Sequence, residues 1–193
     1  MADGKTMKAL RQIVEGEHLA ANALTVAIGK VKETDLQHLL GQIRNEHESN
    51  AEEAGKRLVS LGGQYPIPGL REQLKKGWEA VASTKTSADA LKLLQKKETE
   101  ALAGYKELLK KVGDEQTMNV LLQNMADTTE NVVKLREKLG QLQGKKQGGA
   151  KLLGLPLPLW LIAAAGGGAY YYYQQRNKDG GMSEPITPAS NNS

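Results

Sequence analysis

The chain has 193 residues, enough for one packed domain and a further segment. It has no Cys, which excludes disulfide scaffolds, thiolate metal sites and cysteine nucleophiles, and no Phe, so a core must come from Leu, Val, Ile, Ala and Met. The net charge is +4, but residues 145–193 hold five Lys or Arg and two Asp or Glu, so the first 144 residues are nearly neutral and predict no nucleic-acid partner.

Apolar residues at helical spacing predict a first helix from about Lys5 to Val31. The residues before it lack the apolar core of a signal peptide, so no cleavable signal is expected. A second helix follows at once, with Thr34 or Asp35 as its expected N-cap. It should end at Gly62-Gly63, because glycine readily adopts the left-handed conformation that terminates helices.

The third and fourth helices are also joined by a short turn. The third is predicted to start after Thr86 and Ser87, with Asp89 placed for a capping box, and to end at Gly113. Asp114 should begin the fourth helix, whose apolar stripe continues to residue 142. Short turns make each pair of helices an antiparallel hairpin.

The link between the hairpins is long and contains a short amphipathic helix with Leu70, Leu74, Trp78 and Val81 on one face. Two hairpins joined by one long crossover are the connectivity of ferritin-like bundles. The alternative is an up-and-down bundle with an elaborated loop. The fold class predicted for residues 1–142 is therefore all-α, a four-helix bundle.

Each apolar stripe is interrupted by polar residues near its middle. Glu15 and His18, although spaced Glu-x-x-His, lie off the stripe of the first helix, whereas Glu17 lies on it. In antiparallel hairpins the interruptions fall at similar heights and form one inward-facing layer. Its predicted members are Glu17, His47, Asn50, Glu98, Thr128 and Asn131.

The segments around these positions resemble the four helices of the ferritin-like superfamily, which includes bacterioferritin and rubrerythrin. They are HLAANAL, HESNAEEAGKRLVSLGG, ETEALAGYKELL and LLQNMADTTENVVKL. The crossover sequence GLREQLKKGW and the segment lengths are most similar to an uncharacterised bacterial ferritin-like family of unknown function. The resemblance implies a di-iron centre with a Glu on helices one and three and a Glu-x-x-His on helices two and four.

Glu17 and Glu98 match the two single glutamates, but the two Glu-x-x-His motifs are replaced. His47-x-x-Asn50 stands on the second helix and Thr128-x-x-Asn131 on the fourth. Two carboxylates and one imidazole are too few for a pair of irons, and Thr and Asn are poor iron ligands, which argues against a ferroxidase.

Three interpretations of the layer remain open. The six residues form a hydrogen-bonded polar layer without a cofactor, or Glu17, His47 and Glu98 hold one divalent ion such as iron or manganese. In the third, outer carboxylates such as Glu46, Glu48 or Glu130 rotate inwards to complete a metal site. The first is preferred, because buried polar groups are as a rule hydrogen-bonded. The chain shows no glycine-rich phosphate loop and no Ser-His-Asp set, so no catalytic residue is assigned.

After a Gly/Lys linker at residues 143–151, residues 152–173 carry no charge and would form a helix about 33 Å long, enough to cross a membrane. Lysines precede this segment, Arg and Lys follow it, and its last four residues are Tyr, as at a membrane interface. The alternatives are a segment lying in one leaflet and an apolar arm that docks on a protein. Residues 174–193 are polar and are expected to be disordered.

These observations predict a tail-anchored, single-pass membrane protein with its bundle on the cytoplasmic side. The preferred function is a non-catalytic interaction or scaffold module at the membrane surface, with self-association through the bundle or the small residues of the span. The alternative functions are binding or oxidation of iron or manganese by the reduced site in the core, and a soluble adaptor whose tail is a docking arm.

Overall fold

A computed structural model describes residues 4–65 and 79–144 of the chain. Within these ranges the protein is helical and has no strand. The four main helices are α1 (Gly4–Lys30), α2 (Thr34–Ser60), α3 (Ser87–Leu109) and α4 (Glu115–Leu142). Each is between 23 and 28 residues long. A further stretch, residues 79–82, is helical and includes Val81 of the predicted crossover helix; the other three residues of that prediction lie outside the described ranges.

Side-chain caps begin α3 and α4 as predicted. Thr86 is the N-cap of α3, and the reciprocal hydrogen bonds of a capping box join it to Asp89. Asp114 is the N-cap of α4, and its carboxylate accepts a hydrogen bond from the backbone N–H of Thr117 at 2.8 Å. Both caps use short-range contacts along the chain, which is why the sequence alone locates them.

The predicted cap of α2 was wrong. The N-cap is Glu33, whose side chain makes no capping hydrogen bond within the described residues. The Glu33 carboxylate instead accepts a hydrogen bond from the Ser87 hydroxyl at the start of α3. Asp35 also makes a contact between helices, because its carboxylate pairs with Lys138 on α4. A tertiary contact therefore occupies Asp35, one of the two side chains that were predicted to cap α2.

The two C-terminal glycine predictions had different outcomes. After α2, Gly62 has a φ of 85°, and the N–H groups of Gly62 and Gly63 bond to the carbonyls of Val59 and Leu58. This is a Schellman ending. In contrast, α3 ends at Leu109 rather than at Gly113. The intervening residues leave the helix, and Val112 among them is completely buried in the core.

The core has two apolar halves at opposite ends of the bundle. The first contains Leu10, Leu58, Leu109 and Leu121, and the second contains Leu24, Leu36, Leu91 and Leu135, together with their neighbours. Thus α2 ends in the first half and α3 begins in the second. The crossover must traverse the length of the bundle, which is the predicted ferritin-like connectivity and excludes the up-and-down alternative.

Arg57 fastens the end of α2 to the beginning of α4. Its guanidinium pairs with the Asp114 carboxylate at 2.7 Å and donates to the Thr117 hydroxyl at 3.0 Å. Because Asp114 and Thr117 also form the cap of α4, this half-buried pair couples the cap to the packing of the two helices.

The predicted membrane segment, residues 152–173, and the polar tail lie outside the described residues, as does the linker beyond residue 144. None of the helices in the described ranges is long and apolar enough to span a bilayer. The membrane anchor therefore stays a prediction.

Candidate functional site: a buried Glu-His-Glu triad

The six residues predicted to face inwards are all buried between the two apolar halves. Their exposed fractions do not exceed 4%. The list is Glu17 on α1, His47 and Asn50 on α2, Glu98 on α3, and Thr128 and Asn131 on α4. Each replaces an apolar residue at helical spacing, so the rotation that buries the stripe also buries the polar side chain.

His47 lies between two carboxylates and uses both ring nitrogens on them. Its Nδ1 is 2.6 Å from Oε2 of Glu17, and its Nε2 is 3.0 Å from Oε1 of Glu98. The carboxylates accept, so both nitrogens act as donors, and an imidazole with two N–H groups is the cation. We call Glu17, His47 and Glu98 the triad. It joins α1, α2 and α3.

The electrostatic environment keeps the proton on His47. Burial alone lowers the pKa of the imidazole, but the hydrogen bonds to Glu17 and Glu98 and their negative charges outweigh it and raise the pKa to about 10. The triad thus sets two carboxyl groups against one imidazolium in the middle of the bundle, where unpaired charges are costly.

Glu17 and Glu98 differ in how many of their carboxylate oxygens have a hydrogen-bond partner. The Tyr105 hydroxyl, seven residues after Glu98 on α3, donates a short hydrogen bond to Oε1 of Glu17. Burial and the charge of Glu17 raise the pKa of Tyr105 well above its ordinary value, so the hydroxyl remains a donor. Both oxygens of Glu17 are therefore paired, whereas Oε2 of Glu98 has no hydrogen-bond partner within the described part of the chain.

The amide side of the layer is incompletely hydrogen-bonded. The Thr128 hydroxyl donates to the Asn124 carbonyl at 2.7 Å, and the Asn124 amide lies 3.5 Å from the Asn50 carbonyl. Neither side-chain polar atom of Asn131 has a partner among the residues described, nor does Nδ2 of Asn50 or Oδ1 of Asn124. Buried polar atoms are usually paired, so this side is where an ordered water would be expected.

Sequence reasoning missed two members of the site, Tyr105 and Asn124. Asn124 stands four residues before Thr128 and seven before Asn131, on the same face of α4, and this spacing was the available signal. For Tyr105 the signal was a hydroxyl on the Glu98 stripe, which does not by itself indicate a partner on another helix.

The outer carboxylates are engaged away from the layer. Glu46 and Glu130 both pair with Lys134, at 3.1 and 3.0 Å, and Glu48 lies 3.8 Å from Arg44. His18, as expected, stays outside the layer, where its Nε2 is 3.0 Å from the Tyr65 hydroxyl. In this conformation these outer carboxylates do not complete a metal site, as the third interpretation would require.

Among the residues that the structure describes, a cleft between α1 and α3 leads to the triad. Its volume is about 490 Å³, and Glu17, His47, Glu98 and Tyr105 are among the residues that line it. The remaining lining is almost entirely apolar. These two helices pack together far less closely than α1 and α2 do, and the cleft results from that separation.

The fold has a counterpart among solved structures. A dodecameric thioferritin, the bacterioferritin-related protein from Bacteroides fragilis, superposes with a TM-score of 0.62, covering 76% of this chain and 90% of that chain at 20% identity. The fold is ferritin-like. No model of a protein family matches the chain, and neither does any curated protein. At this identity the similarity shows the fold and leaves the chemistry to the residues themselves.

The residues present do not fit the di-iron centre that the fold implies. Such a centre takes four carboxylates and two imidazoles, whereas the layer has two and one. Metal binding requires a neutral imidazole with a free lone pair, and both nitrogens of His47 are committed to carboxylates. Across residues 4–65 and 79–144, no group of three His, Cys, Asp or Glu has an arrangement suited to a metal ion.

Proposed function

We propose that this protein is a non-catalytic ferritin-like module in which the triad takes the place of a metal centre, and that it serves as an interaction or scaffold unit at a membrane. The observation that supports this is the position of His47, whose imidazolium lies between the two glutamates that match metal ligands of the superfamily. A protonated side chain supplies the positive charge that a metal ion would otherwise supply.

The triad has a structural role in this proposal. Leaving two carboxylates in the core without a cation would destabilise the fold by several kcal/mol, and the imidazolium removes most of that cost. Since Glu17, His47 and Glu98 come from three helices, their hydrogen bonds hold these helices at one relative height. A bundle stabilised in this way folds without metal.

Metal analysis tests the absence of a metal centre. The full chain is purified without chelator, its iron, manganese and zinc contents are measured, and ferrous iron is then added in air while ferric absorbance is followed. We expect substoichiometric metal and the buffer rate of iron oxidation in the native protein, in Glu17→Ala and in the surface control Glu52→Ala. Stoichiometric metal that Glu17→Ala alone removes would contradict the proposal.

A single divalent ion held by Glu17, His47 and Glu98 is the second candidate. The Oε2 of Glu98, unpaired among the described residues, and the presence of two carboxyl groups for one imidazole favour it. It requires His47 to lose a proton and to release one carboxylate, so added metal would displace about one proton per chain. Proton release on addition of manganese or ferrous ion, absent in Glu98→Gln, would support this candidate over the first.

The membrane part of the proposal is tested separately. We propose that residues 152–173 anchor the protein, with the bundle on the cytoplasmic side, on the basis of their length, lack of charge and flanking cations. Full-length protein should sediment with membranes and resist extraction with salt, and deletion of residues 152–173 should release it. Protein that stays in the supernatant with and without the deletion would favour the soluble adaptor.

A further inference from the structure

The cleft between α1 and α3 is open because its walls carry very small residues. Gly16 and Ala20 line it on α1, and Ala101 and Gly104 line it on α3. A methyl group built on Gly16 or Gly104 would have no described atom within 4 Å beyond the neighbouring backbone. The volume of about 490 Å³ is within the range of small-molecule sites, roughly 300–1,000 Å³.

Carboxyl groups outnumber basic groups at the inner end of the cleft. Of the ionisable groups that line it, Glu17 and Glu98 flank the single imidazole of His47 there, and Tyr105 hydrogen-bonds to Glu17. Lys97, the remaining one, lies at the exposed edge and pairs with Glu100 at 2.7 Å. Glu98 is 3% exposed, and its Oε2 has no hydrogen-bond partner in the described ranges. The cleft thus combines apolar walls with one buried, unsatisfied anionic acceptor.

We infer that this cleft binds an amphiphilic organic cation, a primary ammonium on an aliphatic chain, with the ammonium against Glu98 and the chain along the small-residue walls. An ammonium brings donors and a positive charge, which are what Glu98 and the triad lack. A neutral alcohol brings a donor without the charge, and a fatty acid adds a second anion. Charge complementarity therefore selects the amine. This inference rests on the metal-free triad of the proposed function.

The two halves of the ligand contribute separately measurable effects. Each methylene that enters the cleft should tighten binding about fourfold, from roughly 0.8 kcal/mol per buried CH₂, until the chain reaches solvent. A charge-assisted hydrogen bond is stronger than a neutral one, so the amine should bind at least about tenfold more tightly than the alcohol of equal length.

The test is calorimetric titration of the full-length protein near neutral pH with hexylamine, octylamine and decylamine, and with 1-octanol and octanoate as probes of the headgroup. We expect octylamine to bind most tightly among the three eight-carbon probes, and octanoate not to bind. Glu98→Gln keeps the shape of the side chain but removes its charge, so it should make octylamine and 1-octanol nearly equal.

Two glycine variants separate the cleft from unspecific uptake of amphiphiles. Gly104→Leu fills the cleft without touching the triad and should abolish binding. Gly29→Leu, also on an exposed helical glycine with open space around it but outside the cleft, should bind as the native protein does.

The proposal is overturned if no amine binds, which would mean that the cleft is closed or filled by another part of the chain. It is also overturned if Gly104→Leu binds as well as Gly29→Leu, or if octanoate competes equally. Metal content is measured on the same sample. Stoichiometric metal would refute the proposed function, whereas metal-free protein that does not bind amines would refute this inference alone.

Discussion

The protonation of His47 makes the stability of the bundle depend on pH in a specific direction. Its pKa is about 10 in the folded protein and near 6.5 in an unfolded chain. The folded state therefore binds the proton more tightly, so the contribution of His47 is fully present below about pH 6.5 and is lost as the pH rises through about 10.

The size of this effect follows from the same two values. Each pH unit between them should lower the free energy of unfolding by about 1.4 kcal/mol, which amounts to a loss on the order of 5 kcal/mol across the window. Burial justifies using the full amount, since the His47 side chain is 2% exposed and solvent screens it little. A loss of this size is comparable to the whole stability of a small domain.

Urea unfolding followed by circular dichroism, from about pH 6 to about pH 10 at constant ionic strength, measures the effect. In Glu17→Gln the loss should be smaller, because one of the two charges that hold the proton is gone. The surface variant Glu52→Gln, which breaks the exposed pair with Lys56, should keep the native slope. A stability that is flat or rises across this range would show that His47 is not an imidazolium and would refute the charge assignment of the triad.

Three further substitutions test the packing and caps around the site. Thr86→Ala removes the capping box of α3 and should cost about 1 kcal/mol of unfolding free energy in urea, while Ser83→Ala serves as a nearby control. Gly55→Ala places a methyl group directly against the Tyr65 ring, which leaves no room for it, so it should cost about 1–3 kcal/mol, and much less when Tyr65→Ala is present. A double-mutant cycle that is simply additive would contradict that contact. Asn131→Leu replaces two unpaired buried atoms by apolar ones and should be neutral or stabilising; marked destabilisation in a melt would instead indicate that Asn131 holds an ordered water or an ion.

The polar layer shows how far local sequence reasoning reaches. All six of its predicted residues are buried, because a residue that continues an apolar stripe must turn inwards with it. Which atom meets which was not predictable from spacing. Glu17 and His47 are 30 residues apart and His47 and Glu98 are 51 apart, so their pairing depends on the rotation and height of three separate helices. The metal role considered for these three residues stays a prediction.

The helix ends likewise separate what the sequence predicts from what the packing of the helices decides. Thr86, Asp114 and Gly62 were identified correctly, since their hydrogen bonds close within a few residues along the chain. The N-cap of α2, Glu33, was not predicted, and α3 was predicted to end four residues too late. Both places involve contacts with distant parts of the chain: Glu33 accepts a hydrogen bond from Ser87, and Val112 is buried in the core.

The sequence by itself therefore determined the four helices, their pairing into hairpins joined by a long crossover, and the set of residues that face the centre, because helical periodicity and capping are short-range effects. The tertiary structure decided that an imidazole lies between two carboxylates, that Tyr105 donates to one of these carboxylates, and that a cleft between α1 and α3 reaches this group. Hydrogen bonds and protonation respond to distances of a few tenths of an ångström and to burial, and these arise only when all four helices are packed.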